Sequence, residues 1–299
     1  TSEDGNWHKE YSVIIDTFDL PLRYDFEHYE LNETGKYQVF FEETQGTALF
    51  KQYIWASGNS GFALTGVGRN PQEYPTVSIE NGIDGSRAIK LETKSTGQFG
   101  ETVKMPIAAG NLFLGSFDVN NAVQKPLKAT RFGLPFGKKP LQLKGYYKYT
   151  PGTQPFKAKD KNGNTVTIPG QEDEGDIYAV LYEAAELDGK ALDGNNVLTS
   201  ENIVALARVE VEKKDEFTAF HVDFHYGSRI PIDWPKFIQD QRDPSDDGTA
   251  PYLSFSEEKM KNYEYNLAVV FTSSKYGAYF AGSVGSTLCI DKVEIVCEK

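Results

Sequence analysis

Cysteine is nearly missing from this chain: two stand among 299 residues, Cys289 and Cys297, both inside the run STLCIDKVEIVCEK. Read as one extended strand, eight steps of about 3.3 Å part their Cα atoms by about 26 Å. A disulfide tolerates no more than about 7 Å, so two free thiols are expected, and cysteine usage gives no sign of an oxidising compartment. Long apolar runs are missing too. No stretch approaches the roughly 18 residues that a membrane-crossing helix needs, and the N-terminus lacks the basic-then-apolar pattern of an export signal. The chain starts abruptly at Thr1 on a polar segment, as a trimmed export product would.

Positive charge is in short supply. Lysine and arginine number 31 against 43 acidic residues, a net charge of −12, and no polybasic run occurs. Nucleic acid is therefore excluded as an expected partner, because phosphate binding depends on clustered cations that release counterions. An anionic membrane surface is disfavoured on the same ground. Catalytic signatures are also lacking. There is no G-x-S-x-G elbow, and Gly133, Gly137 and Gly145 are spread through strand and turn sequence rather than set between a strand and a helix as a phosphate cradle requires.

What the sequence does hold is alternation. Hydrophobic segments of period two, punctuated by Gly, Asn and Asp, recur from about residue 36 to the C-terminus, and no long segment has helical period. The expected strands are 36–43, 87–94, 112–119, 141–150, 176–184, 202–211, 217–226, 265–274 and 287–296. Nine strands suffice for two packed layers, so the expected fold is all-β: a jelly-roll-like antiparallel β-sandwich, one domain over 36–299 with long loops, preceded by an N-terminal segment, 1–35, packed on it or leading into it. A chain this long buries about three quarters of its unfolded surface and needs no ion or crosslink to hold a core. The dipeptides Asn162-Gly163, Asp188-Gly189 and Asp193-Gly194 tolerate the positive φ of tight turns. The segment Pro151 to Gly175 is expected to join two neighbouring strands as an extended hairpin, and 69–75 and 231–251 to be surface excursions.

Phase assigns faces. In 217–226, Phe220, Val222, Phe224 and Tyr226 should point inward and His221, Asp223 and His225 outward. In 141–150, Leu141, Leu143, Tyr147 and Tyr149 should be core, with Gln142, Lys144, Tyr146 and Lys148 opposite. The His221-x-Asp223-x-His225 triplet offers three metal-ligand types on one face, but its outer members lie about 13 Å apart on a strand, so a solvated face is the expected reading. Asp160-Lys161-Asn162-Gly163-Asn164 opens like a calcium loop and then departs, with Thr165 in place of the sharp-turn glycine and Gln171 in place of the closing carboxylate. A turn is expected there. Acidic clusters at Glu172, Asp173, Glu174 and Asp176, and at Asp240, Asp243, Asp246 and Asp247, are candidates for calcium, set against ordinary solvation.

A glycosidase needs two carboxyl groups about 5 to 9 Å apart across the scissile bond. Glu92, Asp176, Glu183 and Asp223 sit in or beside strands, yet no pairing among them stands out. Aromatic residues, 13% of the chain with 19 Phe and 17 Tyr, carry the remaining signal, since sugar C–H faces stack on aromatic rings while sugar hydroxyls seek nearby amides and charges. Trp55 in QYIWASGN and Trp234 in PIDWPKF lie in polar, loop-like surroundings. Tyr146 and Tyr178 are strand residues whose phase can turn them outward. Each of the four is a candidate carbohydrate contact, against the plainer role of a core or loop-anchoring ring.

Read in order, WASGNSGFALTG (55–66), AIKLETKSTGQFG (88–100), MPIAAGNLFLGSF (105–117), KATRFGLPF (128–136), LKGYYKYTPG (143–152), GDIYAVLYE (175–183), NVLTSENIVALARV (196–209) and SSKYGAYFAGSVGSTLCIDKVEIV (273–296) resemble the carbohydrate metabolism domain family PCMD over residues 53–297. The resemblance implies a jelly-roll-like sandwich in exported lipoproteins of gut bacteria, displayed at the outer membrane or cell surface by a lipid anchor upstream, with a role in glycan binding or processing. It brings no catalytic residues. The closing run around Asp291 is similar to the last strand of jelly-roll carbohydrate modules, in which an acidic residue often holds a structural calcium; Asp291, with Glu42 or Glu43, is the candidate here. The expected function is capture of a glycan by a monomeric, non-catalytic protein through Trp55, Tyr146, Tyr178 and Trp234, with no required cofactor and calcium as the candidate ion. A glycoside hydrolase or lyase with groove carboxylates is the alternative, and a structural or adhesive surface protein the third.

Overall fold

Alternating side chains can all reach dry surroundings only if their strands stack in layers, and they do. A computed structural model describes residues 19–44, 50–184, 191–243 and 248–299. It contains two antiparallel sheets packed face to face. The smaller, six-stranded sheet runs in the order Lys214–Asp223, Pro140–Thr150, Thr287–Cys297, Ala88–Glu92, Thr76–Ile79, with Arg23–Tyr24 added to Thr287–Cys297. The larger, eight-stranded sheet runs Thr130–Phe132, Asn111–Phe117, Tyr265–Thr272, Asp176–Glu183, Ile203–Val209, His225–Tyr226, with Leu134–Pro135 and Trp55–Ala56 alongside. The chain passes repeatedly from one sheet to the other, giving an all-β, jelly-roll-like sandwich.

Eight of the nine expected segments lie in these two sheets. The ninth, 36–43, is split between two small hairpins, where Gln38–Phe40 pairs with Tyr29–Leu31 and Glu42–Thr44 with Phe50–Gln52. Thr76–Ile79 is an edge strand that follows directly on the 69–75 excursion and that the sequence reading left out. The Pro151–Gly175 segment does form a hairpin, Lys157–Lys159 against Thr165–Thr167, with Gly163 at φ 72 near its tip. It does not join neighbours, however: Pro140–Thr150 belongs to the smaller sheet and Asp176–Glu183 to the larger, so the hairpin decorates a crossover. Asp188-Gly189 lies outside the described residues.

Between the sheets, Leu143, Tyr147, Tyr149, Leu288 and Ile290 meet Ile177, Ala179, Leu181, Leu267, Val269 and Phe271 in one core. Each large apolar side chain there contributes roughly 1.5–3 kcal/mol by leaving water. Leu141 departs from its expected place and is exposed. The pairing of Pro140–Thr150 with Thr287–Cys297 shifts register between Pro140 and Gln142, and a bulge of this kind breaks the alternation at that point. In the 217–226 segment the phase holds, with Phe220 and Phe224 buried and His221, Asp223 and His225 exposed. The segment changes sheets at Phe224: Lys214–Asp223 pairs with Pro140–Thr150, and His225–Tyr226 with Ile203–Val209. His221 and His225 therefore belong to different sheets, with Asp223 accepting from Gln142 Nε2 at 2.7 Å and His225 Nε2 3.0 Å from Ser228 Oγ.

Three buried carboxyl groups fasten chain segments. Asp173 Oδ2 accepts from Ser274 Oγ, Ser286 Oγ and the Ser283 amide at 2.6, 2.7 and 2.8 Å, closing one end of the sandwich. Asp291 Oδ2 accepts from the Ile83 amide at 2.7 Å and Ser86 Oγ at 3.0 Å, holding the turn before Ala88–Glu92. Glu42 Oε1 accepts from Trp55 Nε1 at 2.8 Å, and burial pushes its carboxyl up to about 7. Asp291 and Glu42 thus have separate hydrogen-bond partners, and Glu43 faces His28 at 3.8 Å. Asp160 closes a turn, its Oδ1 accepting from the Asn162 and Asn164 amides at 2.8 Å each. Asp240 pairs with Lys236, while Asp246 and Asp247 lie outside the described residues. Among the described residues, no three His, Cys, Asp or Glu side chains gather as metal ligands. Cys289 and Cys297 are both free thiols.

Candidate functional site

The central strands of the larger sheet are buried on both faces. Ile177, Ala179 and Leu181 face the inter-sheet core, while Tyr178, Val180 and Tyr182 face a second apolar cluster on the other side, together with Phe113, Leu206, Ala268 and Val270. Loops cover this outer face incompletely, and they leave a cavity of about 200 Å³. Its floor is set by strand register. Phe113, Val270, Tyr178 and Arg208 stand directly opposite one another in a row across four strands. Asn111, Thr272 and Asp176 form the next row.

Asp176 and Arg208 lock together across neighbouring strands. Arg208 Nε and Nη2 donate to Asp176 Oδ1 and Oδ2 at 2.9 and 2.7 Å, a bidentate pair. The guanidinium lies 6.0 Å from the centre of the Tyr178 ring. Burial holds the Tyr178 phenol well above the usual tyrosine range, with the nearby Asp176 charge acting in the same direction, so this ring is a neutral hydrogen-bonding group at any ordinary pH.

A wall descends from the 231–243 segment. Trp234 is half-buried, with the Arg242 guanidinium 4.2 Å from its ring centre and Tyr276 and Tyr279 each at 6.4 Å. Arg242 Nη1 donates to the Tyr279 hydroxyl at 2.7 Å. Burial raises the Tyr276 phenol to about 12. On the opposite side the lining is aromatic and aliphatic: Phe62 from the Asn59–Ala63 helix, Phe99 from the Gly97–Thr102 helix, and Phe117 and Phe132. The first helix comes close to the sheet because Gly61 has no side chain, and a Cβ there would lie 3.1 Å from the Phe117 ring. Gly115, at φ +139, allows Thr130–Phe132 to approach, since a Cβ would fall 2.0 Å from the Arg131 carbonyl oxygen. Two polar atoms in the lining, Trp234 Nε1 and Thr130 Oγ1, are buried with no hydrogen-bond partner among the described residues.

Over residues 25–296 the chain matches the family described as "Putative carbohydrate metabolism domain", PCMD. The chain belongs to this family. A solved structure from Bacteroides thetaiotaomicron, described as a "putative glycoside hydrolase", is similar at 41% identity and TM-score 0.76, over 94% of this chain and 72% of that one. A second from Bacteroides vulgatus, described in the same words, is similar at 34% identity and TM-score 0.73, over 94% of this chain and 99% of that one. No curated protein matches the chain.

In this PCMD fold the four aromatic candidates have different fates. Tyr178 and Trp234 line the cavity. Tyr146 lies on the far side of the molecule, half-buried on the outer face of the smaller sheet opposite Ala219 and Asp291. Trp55 is no surface ring: it is 4% exposed, wedged against Tyr24 at 5.0 Å, Phe26 at 5.4 Å and Phe271 at 6.1 Å. Its polar sequence neighbours suggested a loop, but the indole fills the core and satisfies its N–H on Glu42. The candidate carboxylates are dispersed as well. Glu92 lies between Lys90 and Lys94 at 3.0 and 2.7 Å, Glu183 is held by Lys259, and of the four only Asp176 lines the cavity. Arg208, Arg242, Phe99, Phe117 and Tyr279 went unnoticed in the sequence. Arg208 had a signal: it interrupts the apolar face of NIVALARVEV, and a charge in a strand buried on both sides calls for a partner.

Proposed function

We propose that this PCMD protein binds a glycan in the outer-face cavity of its larger sheet. One observation carries the reading: aromatic rings and charged hydrogen-bonding groups converge there, with Tyr178, Trp234 and Tyr279 beside Arg208, Asp176 and Arg242. A sugar ring needs both, apolar contact for its C–H faces and donors or acceptors for its hydroxyls. The bidentate ion pair serves this use because it is rigid and leaves guanidinium N–H and carboxylate lone pairs directed by the sheet rather than by a loop. Membership of a carbohydrate family and two relatives described as "putative glycoside hydrolase" support a saccharide over other small molecules.

Hydrolysis of the same ligand is the second reading, favoured by those descriptions. The lining argues for binding instead. Among the described residues it contains one carboxylate, Asp176, with both oxygens engaged by Arg208, where the two-carboxyl mechanism needs a pair flanking the bond. An adhesive role is weaker still: the long edge strand Lys214–Asp223 carries Lys214, Asp215, Glu216, His221 and Asp223, the charge pattern that blocks strand addition. Isothermal titration against a panel of plant and host oligosaccharides, run beside a reducing-sugar assay, tests the proposal. Binding without turnover supports it, turnover transfers the site to the hydrolase reading, and no binding across the panel overturns it.

A further inference from the structure

The cavity floor changes character along its length. In the row Phe113, Val270, Tyr178, Arg208, three strand spacings of about 4.8 Å separate the ends by about 14 Å. The Arg208 end holds Asp176, and the Trp234 and Arg242 wall stands over the neighbouring tyrosines. At the Phe113 end, Phe132 packs on Phe113 with ring centres 4.9 Å apart. Phe117 follows on the same strand face, and the two short helices bring in Phe62 and Phe99, with Val67, four residues beyond the first helix, 3.0 Å from the Cβ position of Gly97 at the start of the second. Phe99 remains 41% exposed at the mouth. A bare saccharide matches the first end and leaves the second in contact with water. An apolar molecule matches the second and leaves the first unused.

Resting on the glycan reading, we propose that the ligand is a saccharide bearing an aryl group, the sugar held at the Arg208–Asp176–Trp234 end and the aryl ring seated among Phe99, Phe113, Phe117 and Phe132. The two unpartnered atoms agree with this division. A buried polar atom without a partner costs about 1–3 kcal/mol, and one such atom lies at each end. Trp234 Nε1 donates to a sugar hydroxyl. Thr130, which pairs with Phe117 on the adjacent strand, offers its Oγ1 to the oxygen that links sugar and aryl group. A simple sugar would satisfy only Trp234, and a hydrocarbon neither.

Matched methyl and phenyl glycosides of glucose, galactose, mannose and xylose, in both anomers, titrated calorimetrically against the intact chain, test the inference. The phenyl member of a binding pair should be at least about tenfold tighter, as burial of one ring face requires, and Phe99→Ala should bring the ratio toward one. Phe99 is partly exposed, so its loss leaves folding intact, which circular dichroism verifies. Equal affinities within each pair overturn the inference while the glycan reading survives. A preference for phenyl that Phe99→Ala and Phe117→Leu both leave untouched overturns it too, and so does phenol alone binding as tightly as a phenyl glycoside. Failure of every glycoside overturns the inference, and the oligosaccharide panel decides the glycan reading separately.

Discussion

Asp173 should make the protein less stable as pH rises from 4 to 6. The side chain is 2% exposed, and desolvation of its charge outweighs the hydrogen bonds from Ser274, Ser283 and Ser286, raising the carboxyl from 3.8 to about 6. Well below pH 3.8 it is protonated whether the chain is folded or not. Between 4 and 6 the unfolded chain gives up the proton while the folded chain retains it, so stability falls with rising pH; well above 6 both forms are ionised and the effect is complete. A shift of about two pH units at 1.36 kcal/mol each amounts to about 3 kcal/mol. Asp173→Asn keeps an acceptor for the three donors and removes the ionisation. Urea midpoints for the wild type and this variant at pH 4, 5, 6 and 7.5 should give a wild-type minus variant difference that drops by about 2 kcal/mol of that total between 4 and 6 and flattens by 7.5. Glu42 contributes its own loss of stability between about 4.5 and 7, and subtracting the variant cancels it. A difference that stays flat, or that grows with pH, would show that the serine donors overcome desolvation and that this carboxylate is a stabilising anion.

Further outcomes follow from the same geometry. Arg208→Ala leaves Asp176 buried and unpaired and removes a guanidinium from the cavity, so glycan affinity should fall at least about tenfold and stability by about 3–5 kcal/mol; Trp234→Ala should cut affinity with a smaller loss of stability, both read by titration and denaturation. Trp55→Ala should cost about 3–5 kcal/mol as a core truncation and leave ligand affinity unaltered in the folded fraction. Cys289, buried and with its thiol raised to about 11 by burial, should react with a thiol reagent only after unfolding, and no crosslink should form between it and Cys297 under oxidation.

The sandwich was legible because period-two burial is a local property. LQLKGYYKYT and FTAFHVDFHY gave their inward faces as well as their strands, whereas DIYAVLYEA, NIVALARVEV and YNLAVVFTSS gave only strands, because the sheet buries them on both sides. The cavity was much less legible because its members come from distant segments: Phe113 and Arg208 are brought into one row only by the strand order, which no short-range pattern encodes. Trp55 and Trp234 show the difficulty most clearly. Both sit in polar sequence, yet one fills the core and the other a cavity wall, and what separates them is where Glu42 and Arg242 lie after folding. The acidic 172–176 run misled in a similar way. It looked like a solvated or ion-binding loop, whereas Asp173 is sealed by three serine-loop donors and Asp176 by an arginine 32 residues further on.

Strands buried on both faces explain why the cavity lies where it does. The outer face of the smaller sheet alternates Gln142, Lys144, Tyr146 and Lys148 and needs no cover, whereas Tyr178, Val180, Tyr182 and Leu206 must be covered by loops. That cover is incomplete where Ala108, Ala109, Ala122 and Ala278 line the opening, although larger apolar side chains there would bury more surface. At roughly 24 cal/mol per Å³, an unfilled volume of about 200 Å³ corresponds to at most about 5 kcal/mol of forgone packing, a cost that ligand binding offsets and folding alone does not. Ala122→Leu should therefore hold or raise the urea midpoint while it lowers glycoside affinity, because Ala122 stands beside Gly61 and Phe117 at the apolar end and the added methyl groups occupy ligand space. A variant that loses stability yet binds as before would mean that this volume is already optimally packed and that the ligand enters elsewhere.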